Sequence, residues 1–142
     1  AEPFVACAVH RFGTPATAPV DGWSLGGLMC GCHTQTGVLG PAAKSLKNAN
    51  GELRWYRRHP DTGAAIAGVR VPHWEEVCAG LLRAVRALPY LTYVGWDVVV
   101  TEAGFVVLEG NNNTDIEIQM HPGLGLLSQP RVRRFYEAHG VI

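Results

Sequence analysis

The chain has 142 residues, and its 12 Lys and Arg residues balance its 12 Asp and Glu residues, so that the formal net charge is zero. This neutrality argues against nucleic acid and anionic membranes as partners, and no apolar run reaches the roughly 20 residues that span a membrane. A hydrophobic fraction of 47% predicts a globular fold. We therefore expect one domain over residues 1–142, and the absence of an export signal predicts a cytoplasmic protein with reduced cysteines.

The first half of the chain predicts β-strands separated by irregular segments. Residues 3–13 are largely apolar and end at a Gly-x-Pro sequence, which favours a strand. Residues 26–36 predict a second strand, and a short third strand is expected at residues 38–39. Residues 40–70 are rich in turn-forming residues, including a tight turn at Asn50-Gly51, so that only short strands are expected there.

The second half of the chain predicts two helices. In residues 73–88, apolar residues recur every three or four positions and acidic residues occupy the first turn. Residues 128–139 predict a shorter closing helix with Ser128 as N-cap, Pro130 in the first turn and Gly140 after its end. The order of strands, helix, hairpin and helix predicts an α+β domain with a mainly antiparallel sheet and two helices.

A β-hairpin is predicted over residues 92–110, and its register decides which side chains share a face. Gly104 is the residue near the turn that most easily adopts a positive φ, and a three-residue loop ending there places it at a G1 bulge. That register sets Asp97 opposite Glu109, and Asn111, two residues further on, lies on the same face. A two-residue loop would instead move Glu109 to the opposite face.

The facing carboxylates of Asp97 and Glu109 predict a metal site. Like charges directly opposed on a sheet are destabilising unless a cation lies between them. Mg²⁺ commonly takes one or two carboxylates together with waters and phosphates, and the amide of Asn111 supplies a further oxygen ligand. The alternative is a pair of carboxylates that point into solvent at a sheet edge. Asn113 is a candidate for an auxiliary polar contact, and Asp115 and Glu117 either extend the acidic site or are simply solvated.

Several short motifs support a specific resemblance. In chain order they are Arg11-Phe12-Gly13, Val20-Asp21-Gly22 with Gly26-Gly27, His59-Pro60-Asp61-Thr62-Gly63, Pro72-His73-Trp74, Gly95-Trp96-Asp97 and Glu109-Gly110-Asn111. In order and approximate spacing they resemble the sugar-transfer-associated ATP-grasp family, whose members show a Gly-Trp-Asp strand followed by a Glu-Gly-Asn strand. One departure is Gly22, where the family pattern has Asn.

The resemblance implies a site and a reaction. By this resemblance, Asp97, Glu109 and Asn111 bind Mg²⁺ (or Mn²⁺) and, through it, ATP. The implied activity is a ligation in which ATP phosphorylates a carboxylate and an amine then attacks the acylphosphate. Arg11, at the end of the first predicted strand, is the candidate catalytic residue, since its planar guanidinium suits developing phosphate charge. The alternative for this residue is an ordinary surface arginine.

The resemblance covers only the C-terminal lobe of an ATP-grasp domain. The N-terminal lobe, with its phosphate-binding lysine and much of the adenine pocket, has no counterpart in residues 1–142. We therefore expect the chain to be inactive alone and to work with an N-terminal lobe or by self-association. Two alternatives stay open: a non-catalytic binding or interaction module that keeps the ATP-grasp fold, and a purely structural α+β domain.

Other polar residues have competing interpretations. Cys30, Cys32 and His33 invite a zinc interpretation, but their spacing supplies too few ligands and no second cysteine pair completes the set. The two cysteines share one strand face, which favours buried packing, and a nucleophilic cysteine–histidine pair is disfavoured because adjacent strand residues point to opposite faces. His59 and Asp61, in a predicted turn, either contact substrate or bond the local backbone.

Overall fold

The computed structural model of the chain describes residues 2–45, 53–112, 114 and 125–142. These residues form two antiparallel sheets and two α-helices, which confirms the predicted α+β class. The strands of the first sheet lie in chain order. They are β1 (Val9–Phe12), β2 (Leu28–Cys32), β3 (Leu39–Ser45) and β4 (Leu53–Tyr56). The predicted Asn50-Gly51 turn lies outside the described residues.

The strands of the first sheet differ in length from those that the sequence predicts. β1 begins at Val9 rather than at residue 3, and β2 ends at Cys32 rather than at residue 36. β3 continues to Ser45, well beyond the two residues expected. Residues 3–8 are half-buried, so their apolar composition reflects packing rather than pairing within a strand.

The hydrophobic core lies along β2. Leu28 and Cys30 are completely buried, and Ile66, from the segment after β4, is 1% exposed. Burial of a large aliphatic side chain stabilises a fold by roughly 1.5–3 kcal/mol. Trp74 and Val100 pack against this cluster, so that the first helix and the hairpin share the core of the first sheet.

Helix α1 spans Trp74–Ala87 and confirms the first predicted helix. His73 precedes it with a φ of 55°, and the Nε2 atom of His73 lies 3.1 Å from the carbonyl oxygen of Glu102 in the hairpin turn. Trp74 donates a hydrogen bond from Nε1 to the carbonyl oxygen of Thr34 at 2.9 Å. These contacts tie the start of α1 to both the hairpin and the first sheet.

Helix α2 spans Pro130–Ala138, and its start differs from the prediction. The N-cap is Gln129 rather than Ser128, because the hydroxyl of Ser128 donates to a backbone carbonyl within the preceding 3₁₀ turn. Pro130 occupies the first turn and Gly140 follows the end with a φ of 66°, as predicted. Among the described residues, no helix combines the length and the apolar character needed to cross a membrane.

Candidate metal centre

The hairpin consists of β5 (Gly95–Thr101) and β6 (Gly104–Asn111), which confirms the predicted hairpin. The predicted three-residue loop is wrong, because Thr101 pairs directly with Gly104 across a two-residue loop. Gly104 has a φ of 142°. A G1 bulge requires a residue in the left-handed helical conformation, with a φ of about 57°. The φ of Gly104 is far larger, so this glycine is the first residue of β6 and forms no such bulge.

A β-bulge further along the hairpin restores the predicted pairing at the site. Val98 pairs with Val107, but the preceding residue, Asp97, pairs with Glu109, so that Leu108 is an extra residue in β6. One extra residue moves every later side chain of its strand to the other face. Asp97 therefore lies opposite Glu109, as predicted, although the register is reached by a different route.

The Gly-Trp-Asp motif of β5 and the Glu-Gly-Asn motif of β6 are in contact through their middle residues, Trp96 and Gly110, which pair across the strands. A Cβ atom on Gly110 would lie 2.7 Å from Cζ3 of the Trp96 ring, so the ring occupies the space that any other residue would fill. Because side chains alternate along a strand, the neighbouring residues Asp97, Glu109 and Asn111 project together from the opposite face.

The carboxyl groups of Asp97 and Glu109 belong to paired residues of the two strands, and Asn111 donates from Nδ2 to Oε1 of Glu109 at 3.1 Å. Burial raises the pKa of Asp97, the Arg11 guanidinium opposes this shift, and the Glu109 carboxyl raises the pKa further. Two facing carboxylates concentrate negative charge at one point. A divalent cation at this point would neutralise that charge.

Arg11 on β1 brings a positive charge to the hairpin. Its Nε atom lies 3.2 Å from Oδ2 of Asp21, and its Nη2 atom lies 3.7 Å from Oδ1 of Asp97. The structure thus places the candidate catalytic residue next to one of the candidate metal ligands. Asp21 joins the site through the same guanidinium, and only its place in the Val-Asp-Gly motif signals it in the sequence.

The oxygen atoms of Asp97, Glu109 and Asn111 suit a hard divalent cation. Mg²⁺ commonly takes one or two carboxylates and completes its octahedron with waters and phosphate oxygens. In the part of the chain that the structure describes, no three His, Cys, Asp or Glu side chains form a group able to hold a metal ion. The candidate donor set thus consists of two carboxylates and one amide. The other candidates, Asn113, Asp115 and Glu117, lie outside the described residues.

His59 holds a loop next to the site. The Nε2 atom of His59 lies 3.0 Å from the carbonyl oxygen of Gly13, and its Nδ1 atom accepts a hydrogen bond from the backbone N–H of Asp61 at 3.3 Å. The His59 ring thus bonds two backbone groups, while the Asp61 carboxylate lies 3.9 Å from Nδ1 of His59, and the contact of either residue with substrate stays a prediction. Gly13 and His59 line an open groove of about 470 Å³, which Asp21 also lines.

The cysteines occupy packed positions. Cys30 and Cys32 are buried free thiols. Burial raises the pKa of Cys30 to about 12 and the pKa of Cys32 to about 11. Thiols ligate metals and attack substrates as thiolates, so raised pKa values disfavour both the zinc and the nucleophile interpretations.

Comparison with known families adds to this geometry. The sequence model of the family described as "Sugar-transfer associated ATP-grasp" matches residues 3–134. The match identifies the class of the protein, a nucleotide-binding domain of the ATP-grasp type. Because it covers most of the chain, we conclude that the chain belongs to the sugar-transfer-associated ATP-grasp family. Comparisons with curated proteins and with solved structures gave no match.

Proposed function

We propose that this chain is the Mg²⁺- and nucleotide-binding C-terminal lobe of an ATP-dependent carboxylate–amine ligase. The observation that carries the proposal is the placement of Asp97, Glu109 and Asn111 on one face of the hairpin, with Arg11 beside them. Family membership supports nucleotide binding. The three oxygen-bearing side chains support a hard cation, for which Asn111 would offer its Oδ1 atom.

The proposed reaction has two steps. A substrate carboxylate oxygen attacks the γ-phosphorus of ATP and ADP departs, which leaves an acylphosphate. An amine then attacks the acyl carbon, inorganic phosphate departs, and the amide nitrogen loses a proton. A divalent cation held by Asp97, Glu109 and Asn111 would neutralise phosphate charge. Arg11 donates N–H groups to the phosphate oxygens that gain charge during the transfer.

We further propose that residues 1–142 form one cytoplasmic domain that is inactive alone. Glu109 and Asn111 are exposed, whereas phosphoryl transfer to a carboxylate needs a site from which water is excluded. An N-terminal ATP-grasp lobe, or a second copy of the chain, would cover this face and complete the ATP site. Buried reduced cysteines fit the proposed location.

Calorimetric titration with Mn²⁺, and separately with preformed Mn–ATP, tests the proposal. The Asp97→Asn, Glu109→Gln double variant should lose roughly tenfold or more of the affinity for both, because even supporting partners of metal ligands carry that much. Glu102→Gln, which neutralises an exposed carboxylate at the turn of the same hairpin, is the matched control and should bind like the wild-type chain. Equal affinities for the double variant and the wild-type chain would contradict the metal site.

A second candidate function is a non-catalytic interaction module. It is favoured by the apolar exposed surface of the hairpin, where Val106 is 52% and Leu108 is 65% exposed. Such surfaces mark interaction sites when they are contiguous. The same titration separates the two candidates, because a module that keeps only the fold binds neither Mn²⁺ nor Mn–ATP at the hairpin.

A further inference from the structure

A single guanidinium group joins two carboxylates from different parts of the fold. The contact of Arg11 with Asp21, at 3.2 Å, is shorter than its contact with Asp97, at 3.7 Å. Arg11 therefore uses its Nε atom for Asp21 and directs its terminal nitrogen Nη2 towards the candidate metal site. A guanidinium has five N–H donors in a fixed plane, so one side can be held while the other binds a further anion.

The backbone of Asp21 is closely packed, which fixes the origin of its side chain. The carbonyl oxygen of Asp21 would lie 2.3 Å from a Cβ atom on Gly27, so only glycine permits this approach. The intervening chain is closed by a hydrogen bond from the backbone N–H of Gly27 to the carbonyl oxygen of Gly22, at 3.0 Å. The Gly-Gly segment of the sequence thus serves to bring Asp21 against the start of β2.

We propose that Asp21 is a positioning residue that keeps Arg11 beside Asp97, so that the site takes up a divalent cation together with a phosphate group rather than alone. This inference rests on the proposed function. A bare cation must displace the guanidinium from Asp97 and then remains close to a like charge, which weakens its binding. A cation that arrives with a phosphate brings an anion for Nη2 of Arg11, so the displaced contact is replaced.

Titration with Mn²⁺ alone, and with the preformed Mn–tripolyphosphate complex, tests this coupling in the full chain. Arg11→Ala should bind Mn²⁺ alone about threefold more tightly than the wild-type chain, as expected for the loss of an exposed competing charge. The same variant should lose the preference of the wild-type chain for the complex over the bare cation. Arg70→Ala removes an equal charge from an exposed pair with Glu75, and is the matched control that should change neither affinity.

Two variants of Asp21 test the positioning role. Asp21→Asn should lose the preference for the complex, because Arg11 is no longer held beside Asp97. Its gain in affinity for Mn²⁺ alone should be smaller than that of Arg11→Ala, because the charge of Arg11 remains in the protein. Asp21→Glu should restore the preference, which a general loss of packing would not do. In ¹⁵N NMR spectra, the Nε–H resonance of Arg11 should shift in Asp21→Asn and return towards its original position in Asp21→Glu.

The outcomes separate this inference from the proposed function. If the wild-type chain binds Mn²⁺ and Arg11→Ala binds both forms with unchanged affinities, the coupling is overturned and the metal site stands. If the Nε–H resonance of Arg11 is the same in Asp21→Asn and the wild-type chain, the positioning role of Asp21 is overturned. If neither the wild-type chain nor Arg11→Ala binds Mn²⁺ in any form, the proposed function fails, and the coupling fails with it.

Discussion

The first sheet and the hairpin are both antiparallel, but they bury very different surfaces. Four of the five residues of β2 are buried, whereas six of the eight residues of β6 are exposed. The buried strand β2 is enclosed by its neighbours in the sheet, and the exposed strand β6 carries the candidate metal ligands Glu109 and Asn111 at its end. The comparison teaches that the buried core and the candidate metal ligands lie in different sheets of this domain.

The hairpin is nevertheless connected to the rest of the domain at both ends. Near the turn, the backbone of Glu102 meets the His73 ring at the start of α1. Near the site, the Asp97 carboxylate meets Arg11 on β1. The exposed strand β6, with little buried surface of its own, thus depends on contacts outside the hairpin for its position.

The largest expected effect tests whether the first sheet carries the stability. Leu28→Ala removes part of a completely buried side chain and should lower the free energy of unfolding by about 2–5 kcal/mol. Urea unfolding followed by circular dichroism measures this change. Leu108→Ala, in the exposed strand β6, is the control and should change the free energy of unfolding by less than about 0.5 kcal/mol. Similar losses for both variants would contradict the division between the two regions.

A smaller effect is expected where the hairpin does have a tight contact. Gly110→Ala places a Cβ atom 2.7 Å from the Trp96 ring, so the ring must move. The free energy of unfolding should fall by roughly 1–3 kcal/mol, with weaker Mn²⁺ binding in calorimetry. At Gly125 an added Cβ meets only Ser128 Oγ at 3.7 Å, an ordinary contact, so Gly125→Ala is the matched control. If Gly110→Ala leaves the free energy of unfolding and the Mn²⁺ affinity unchanged, the Trp96 ring moves aside without cost and the contact is not a tight one.

The smallest effect concerns the charge of the site itself. Burial raises the folded-state pKa of Asp97, so the protonated carboxyl favours the folded state. This contribution to stability is fully present below the unfolded-state pKa of about 3.9 and is lost as the pH rises through the folded-state pKa. Asp97→Asn removes this loss. Without metal, the variant should therefore retain more of its pH 4 stability at pH 7 than the wild-type chain does.

Urea unfolding at both pH values in the presence of a chelator measures that difference. Glu102→Gln, at the turn of the same hairpin, controls for the loss of one negative charge and should follow the wild-type chain. A steeper decline from pH 4 to pH 7 in Asp97→Asn than in the wild-type chain would show that the carboxylate stabilises the fold when ionised.

Features that depend on one element were predictable from the sequence. The apolar stripe of α1 repeats with the period of a helix, and the helix ends where Pro89 follows. The opposition of Asp97 and Glu109 was predicted from the family motifs and from a three-residue loop. With the two-residue loop of the structure, strand alternation alone would have placed Glu109 on the other face. The bulge at Leu108 was not predictable, because a bulge leaves no trace in composition. Its effect on the register also equals that of the extra loop residue in the prediction, so both lead to the same pairing of Asp97 with Glu109.

Features that join separate elements were beyond a local reading of the sequence. Ten positions separate Arg11 from Asp21 in the chain. The ion pair forms only because the loop between them brings Asp21 against Gly27, next to the start of β2. A glycine inside a strand often marks the close approach of another group. Identifying that group as the Trp96 ring beside Gly110 requires the strand register, which the sequence alone does not give. The role of Arg11 therefore stays a prediction, while its position next to Asp97 is now described.

The bulge at Leu108 also bears on how the length of this hairpin can vary. Up to Val107, odd-numbered residues of β6 share the face of Trp96, whereas Glu109 and Asn111 lie on the other face. A homologous hairpin with one residue fewer between the turn and the Glu-Gly-Asn motif would form an uninterrupted ladder and keep the same three opposed pairs. The spacing between turn and motif can thus change by one residue without loss of the site, and a fixed count of residues is a poor criterion for recognising it.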